Sequence, residues 1–535
     1  MKRYGWRLAA VCIALMIAVP LTVVLSSLFS PEHEVWQHLL DHVLPGLLGN
    51  TLYLVLGVAI GVTLLGVSLA WLTAVCEFPG RRFFSWALLL PLAVPAYVTA
   101  FVYIALLDFT GPLQTGLREL VGGPLAFPAI RSGGGVIVVM GLALYPYVYL
   151  LARNAFLTQG KRALEAAQSL GYSRKAGFFK VALPLARPWI MAGLMLALME
   201  TLADFGTVSV FNYDTFTTAI YKTWFGMFSI QGASQLASML MVLAFVLILA
   251  EQFSRRGLRF TQAGRPTRME RIILSGYSAW LASGFAALIL LVAFVIPVVQ
   301  LLLWTTKVFA QDFDARYLGF LWHSLLLGTL AVALVVVSAL VLTYAQRQHK
   351  DNLTHAMVRI ATLGYAVPGA VLAVGIVIPL AWLDQQLIGA AKNWFRIETG
   401  LILQGTLLVM LPAYLTRFLA VGYNPLESAM QRITHNLDEV ARSLGVSGLA
   451  MLRRVHLPML RGSLLSAAAL VFVDVMKEMP ITLMTRPFGW DTLAVRIFEM
   501  TSEGEWERAA LPAVALVLAG MLPIALLVKQ SEKSW

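Results

Sequence analysis

Apolar runs of about 20 residues alternate with short polar stretches along the whole chain. That length suits a hydrocarbon core of about 30 Å crossed at about 1.5 Å of helix rise per residue. The runs fall at residues 8 to 28, 51 to 75, 83 to 107, 134 to 157, 188 to 210 and 233 to 253, then at 277 to 303, 323 to 345, 356 to 383, 400 to 421, 462 to 484 and 507 to 529. Lipid offers no hydrogen-bond partners to a backbone, so runs of this kind predict helices. The pattern describes an all-α polytopic membrane protein of about 12 transmembrane helices, six in each half. Composition agrees: 59% hydrophobic and 13% charged residues over 535 positions exceed what a soluble core can use. Prolines inside the runs, Pro91, Pro95, Pro368, Pro379 and Pro480, predict kinked helices kept inside the bundle.

The polar stretches are not equivalent, because one of them occurs twice. Residues 165 to 184 read EAAQSLGYSRKAGFFKVALP and residues 439 to 458 read EVARSLGVSGLAMLRRVHLP, an offset of 274. Farther upstream Asn50-Thr51 and Val94-Pro95 are followed 273 positions on by His323-Ser324 and Val367-Pro368. The chain is therefore two homologous halves, 1–262 and 263–535, running in the same direction as a parallel repeat. The basic stretch Ser254 to Arg271 joins them. Each copy of the repeated stretch is expected to fold as helix, break, helix: Gly171 gives a left-handed cap, Ser173 caps the next turn and Pro184 ends it, with the second copy following the same plan. Such a loop is a compact knob for a soluble partner, or else a basic amphipathic segment lying on headgroups.

Charge then orients the chain. Lys2, Arg3 and Arg7 precede a run without a small-x-small cleavage site, which favours a retained first helix over a signal peptide. With the N-terminus inside, Lys and Arg number 29 in cytoplasmic segments and 9 outside, with Lys477 and Arg508 in or beside spans. This bias accounts for the formal charge of +12 and gives no reason to invoke nucleic acid. Cys12 and Cys76 lie in or at the end of apolar runs and have no metal spacing. Gly160-Lys161 is followed by Arg162, and Ala155 stands where a phosphate loop needs glycine, so the chain is expected to hydrolyse no ATP and to bind no cofactor.

Glu165, Ala166, Ala167, Gly171, Val181, Leu183 and Pro184, and again Glu439, Ala441, Gly445, Val455, Leu457 and Pro458, resemble the cytoplasmic motif of bacterial ABC importer permeases. The second copy departs from it at Val440, where the motif has alanine. The resemblance implies coupling loops at 161–187 and 435–461 in a type I importer fold, docking onto two copies of a cytosolic ABC ATPase that uses ATP and Mg. It also implies an inner-membrane location with the N-terminus cytoplasmic.

Four acids, two in the fifth span of each half, are the remaining candidates. Glu200 and Asp204 are four residues apart, and Asp474 and Glu478 follow 274 positions later. That spacing places each pair on one helix face, and Glu200 lies sixteen residues past Pro184, about 24 Å into the membrane. Ionised groups at such depth cost about 3 kcal/mol unless they meet a partner or water. They are read as lining a shared translocation pathway, with transient metal contacts open; the alternative is structural pairing, for which Lys477 beside Asp474 and Glu478 is the partner. Residues 204 to 227 and 474 to 496 look like the corresponding segments of fused ferric-iron permeases, which implies ferric iron delivered by a periplasmic or extracellular binding protein docking outside. Tyr221, Trp224 and Phe225 there also read as interfacial anchors. Thiamine, polyamine and phosphonate importers share the layout, and an ion-gradient-driven transporter would need no loop knobs.

Overall fold

The computed structural model describes residues 3–29, 36–37, 39–123, 128–160, 165, 167–255, 271–349, 351–396 and 398–533. Six long helices form in the first half: α1 (Arg3–Ser26), α2 (Leu44–Val75), α3 (Ala96–Leu107), α4 (Gly133–Ala155), α5 (Leu183–Ala203) and α6 (Ile230–Arg255). The second half repeats the order with α7 (Tyr277–Asp312), α8 (Ala315–Gln348), α9 (Gly369–Ala390), α10 (Leu407–Arg432), α11 (Leu457–Lys477) and α12 (Ala510–Lys533). Among the described residues eleven segments are long and apolar enough to cross a membrane, and α12 adds an apolar stretch over Ala510–Met521.

The halves of the sequence are not the halves of the fold. One apolar core joins α2 to α5 with α7 and α12. The other joins α8 to α11 with α1 and α6. Each half thus lends its first and last helices to the other. The exchange brings backbones close: a Cβ on Gly375 of α9 would lie 2.7 Å from the Pro20 carbonyl of α1, and one on Gly520 of α12 would lie 2.3 Å from the Ala93 carbonyl. Beyond the linker, Ile272-Ile273 pairs in parallel with Cys76-Glu77 at the end of α2, and Arg271 reaches Glu77 at 3.6 Å.

Prolines shape the approach to the centre. The third span of each half is a short helix, a 3-10 turn and then a long helix, broken at Val94-Pro95 and at Val367-Pro368. Proline cannot donate and disfavours helical geometry in the residue before it, so Val94 and Val367 are extended and the carbonyls before them lose their helical partners. Pro379 stays inside α9 without ending it.

Candidate functional site

The two knobs share one turn. Gly171 and Gly445 have φ of +83° and +77°. Around them Tyr172 N–H donates to the Ala167 carbonyl at 3.0 Å and Val446 N–H to the Ala441 carbonyl at 2.9 Å, a Schellman closure in both copies. Ala167 and Ala441 point inward and are buried, whereas Glu165 and Glu439 are exposed. The repeat-related Leu170 and Leu444 are both 76% exposed at the tips. Leu437 and Val440 continue that apolar stripe along the second knob helix, His435–Ser443. Ala166 and residues 161–164 lie outside the described residues.

Two expectations about the knobs are corrected. Ser173 does cap its turn, accepting from Ala176 N–H at 3.3 Å, but Ser447 makes no such bond and Gly448 has φ of +59° instead. Nor does Leu-Pro end the helix. Leu183 N–H donates to the Phe178 carbonyl and Leu457 N–H to that of Leu452, five residues back in each case. This wide turn lets the proline, which has no N–H to give, enter a helix that runs on into α5 or α11.

The second knob is fixed to the bundle by polar contacts that the motif does not include. Arg347 at the end of α8 reaches Asp438 at 2.9 Å and also donates to the carbonyls of Met430 and Ile433 at 3.0 and 2.9 Å. His456 Nε2 meets the other Asp438 oxygen at 2.9 Å, and Tyr344 donates to the Gly448 carbonyl at 2.9 Å. Burial pushes the Asp438 carboxyl up, but Arg347 and His456 outweigh it and hold its pKa below the usual 3.8.

At the opposite end of α5 and α11, the broken helices enclose a cavity of about 170 Å³. All four acids line it, but each pair does not share one helix face. Both helices stop after Ala203 and Lys477, because Asp204 and Glu478 adopt extended backbone. These two acids cap the short helices that follow. Asp204 accepts from Thr207 Oγ1 at 2.8 Å and Val208 N–H at 3.1 Å, and Glu478 accepts from Ile481 N–H at 3.0 Å. Glu200 and Asp474 remain on the last turns of α5 and α11. The Tyr365 hydroxyl donates to Glu200 at 3.3 Å.

Two cations share the cavity, and both come from the second half. Arg417 of α10 faces Glu478 at 3.4 Å and donates to the Val367 carbonyl at 2.6 Å. Lys477 does not pair with Asp474: its ammonium donates to the Leu92 carbonyl across the halves at 2.7 Å, and among the described residues no ion pair joins it to that acid. The repeat places Ala143 and Ala203 at the equivalent first-half positions. Leu92 and Tyr365 are themselves repeat partners, and each makes a cross-half contact, to Lys477 and Glu200, which are not repeat partners of one another. Among the described residues no group of three or more His, Cys, Asp or Glu side chains is placed to hold a metal ion.

In the outer layer Tyr221 packs on Phe205 and Phe498, with ring centroids 5.3 and 6.3 Å away, and so joins the two halves. Trp224 and Phe225 stack at 5.1 Å beside it.

A parallel repeat of membrane helices, with a capped knob in each half and broken helices around one central cavity, is the build of a transport permease. The chain belongs to the family of binding-protein-dependent transport system inner membrane components, whose model matches it twice, over residues 63–259 and 336–534. It is 29% identical over 494 residues to the "Fe(3+)-transport system permease protein FbpB 2" of Haemophilus influenzae, covering 91% of this chain and 90% of that one. A "Probable ABC transporter permease protein y4fN" of Sinorhizobium fredii is 23% identical over 90% of this chain and 87% of its own. The "Molybdenum transport system permease protein ModB" of Escherichia coli is 28% identical over 37% of this chain and 88% of its own. The protein is thus a multi-pass membrane permease of ABC-type, binding-protein-dependent transport.

Proposed function

We propose that this chain forms the translocation pathway for ferric iron, handed over outside by a binding protein and driven by two copies of a cytosolic ABC ATPase docked on the knobs. On this reading the N-terminus and both knobs face the cytoplasm, and the membrane is the bacterial inner membrane. The observation that carries the cargo is the central cavity, where four carboxylates at repeat-related positions outnumber two cations that are already engaged by carbonyls. A hard, highly charged cation prefers oxygen donors. Glu200 and Asp474, free of helix-capping duty, attract it. Arg417 and Lys477 offset part of the negative charge, so that an ion is drawn in without being trapped.

The knobs are suited to coupling because each offers an exposed apolar tip on a rigidly closed turn. An oxyanion is the second reading, favoured by those same two cations and by the molybdenum permease among the relatives. Against it, an oxyanion would have to pull Arg417 and Lys477 off their carbonyl partners while facing four acids.

Reconstitution decides between them. The chain, its ATPase and its binding protein in liposomes are expected to import radioactive iron in an ATP-dependent manner and to ignore molybdate. Molybdate uptake would replace the cargo assignment. Uptake driven by an ion gradient without the ATPase would remove the coupled mechanism.

A further inference from the structure

The two knobs carry the same turn but are held to the bundle by different chemistry. At the base of the second, Asp438 in the first turn of the knob helix is 4% exposed and receives both Arg347 and His456. Arg347 is also bonded to the carbonyls that end α10, and His456 lies at the foot of α11, 5.6 Å from the Tyr344 ring. One carboxylate therefore ties the knob helix to α8, α10 and α11 at once. The repeat gives Ala74, Leu164 and Ala182 in place of Arg347, Asp438 and His456. These three residues carry no charge with which to form the same clamp. In the first half Trp71 occupies the place of Tyr344 and packs edge-on against Phe156 and Phe178, at 5.1 and 4.5 Å.

Charge-assisted hydrogen bonds fix direction as well as distance. The rings of the first half have an edge-to-face geometry of their own, but they lie in α2, just past α4 and just before α5, and place no charged bond on the knob helix. We propose that the Arg347–Asp438–His456 clamp makes the second knob the orienting dock for the ATPase dimer, so that two identical ATPase subunits meet two unequal knobs and take their alignment from the second half. This rests on the reading of the knobs as ATPase docks. Arg347, Asp438 and His456 are positioning residues: they act through the Leu437, Val440 and Leu444 stripe that they hold outward.

The test gives the second knob the first knob's residues. Arg347→Ala, Asp438→Leu and His456→Ala combined remove the three side chains of the clamp together and leave no buried charge unpaired, so the chain is expected to stay monodisperse. The variant should bind the ATPase subunit about tenfold more weakly. It should also hydrolyse more ATP per iron imported, and exchange amides over residues 435–451 faster. Asp438→Glu, which keeps the carboxylate, should retain binding. Gly445→Leu serves as the reference for a disrupted knob. If Gly445→Leu weakens binding and the triple variant does not, the clamp has no orienting role although the knobs still dock. If Gly171→Leu, Gly445→Leu and the triple variant all bind normally, the docking reading itself falls, and the clamp with it.

Discussion

Glu478→Gln separates the structural and transport roles of a cavity acid. Glu478 and Arg417 are 7% and 8% exposed, and removing one member of a buried ion pair costs about 3–5 kcal/mol because the other charge is left uncompensated. The pair is at 3.4 Å through one guanidinium nitrogen, and Arg417 keeps its bond to the Val367 carbonyl. The loss should therefore fall at the lower end, about 3 kcal/mol or roughly 100-fold in the unfolding equilibrium. The glutamine's amide oxygen can still accept from Ile481 N–H, so the helix cap survives. Adding Arg417→Met removes the orphaned charge and should restore most of the stability. The assay is reversible unfolding in mixed micelles of wild type, both single variants and the double variant. The reasoning is refuted if Glu478→Gln is as stable as wild type, or if the double variant is no more stable than that single one.

Further outcomes follow from the same geometry. Glu200→Gln with Asp474→Asn should slow iron uptake in liposomes while leaving unfolding midpoints near wild type, since neither acid caps a helix; unchanged uptake would leave them as bystanders. Gly193→Ala places a Cβ 2.7 Å from the Tyr147 carbonyl and the Val148 Cα, both backbone atoms of α4, and should destabilise the α4–α5 contact by about 1–3 kcal/mol in the same unfolding assay. A Cβ on Gly445 would meet no atom within 4 Å, so the cost of Gly445→Leu, about 1–2 kcal/mol, comes mainly from the left-handed backbone and should appear as faster amide exchange in the knob. Because the Asp438 pKa is depressed, its contribution to knob stability is fully present above 3.8 and is lost as pH falls through its lower folded value. Knob protection, corrected for intrinsic exchange, should fall in strong acid, and Asp438→Asn should remove that fall.

Residues that recur were legible in the sequence, and those that do not recur were hidden. Gly171 and Gly445 could be read as left-handed caps because the same turn is written twice around them. The four acids recur at the same offset. Arg417, Lys477 and Arg347 stand opposite Ala143, Ala203 and Ala74, so comparison of the halves passes over them. Each, moreover, has a backbone carbonyl among its partners, at Val367, Leu92 and Met430, which no side-chain pattern can announce. The assignment of each acid pair to one helix face failed because helical spacing assumes an unbroken helix. Phe205-Gly206 and Met479-Pro480, right after the second acid of each pair, carried the sign of a break. Leu-Pro differs from its expected role for a related reason: a proline ends an ordinary helix, but a wide turn just before it lets the helix continue.

The exchange of outer helices bears on how the chain is made. The first helix leaves the ribosome roughly 300 residues ahead of the segments it is built to touch, since its main contacts are with α8, α9 and the helix Asn352–Thr362. Through most of synthesis it must wait in the bilayer with lipid as its main neighbour. The waiting helix is correspondingly poor in charge, and Trp6 near its start meets Tyr344 only after that late partner is inserted. Neither half can therefore complete its core before helices of the other have been inserted.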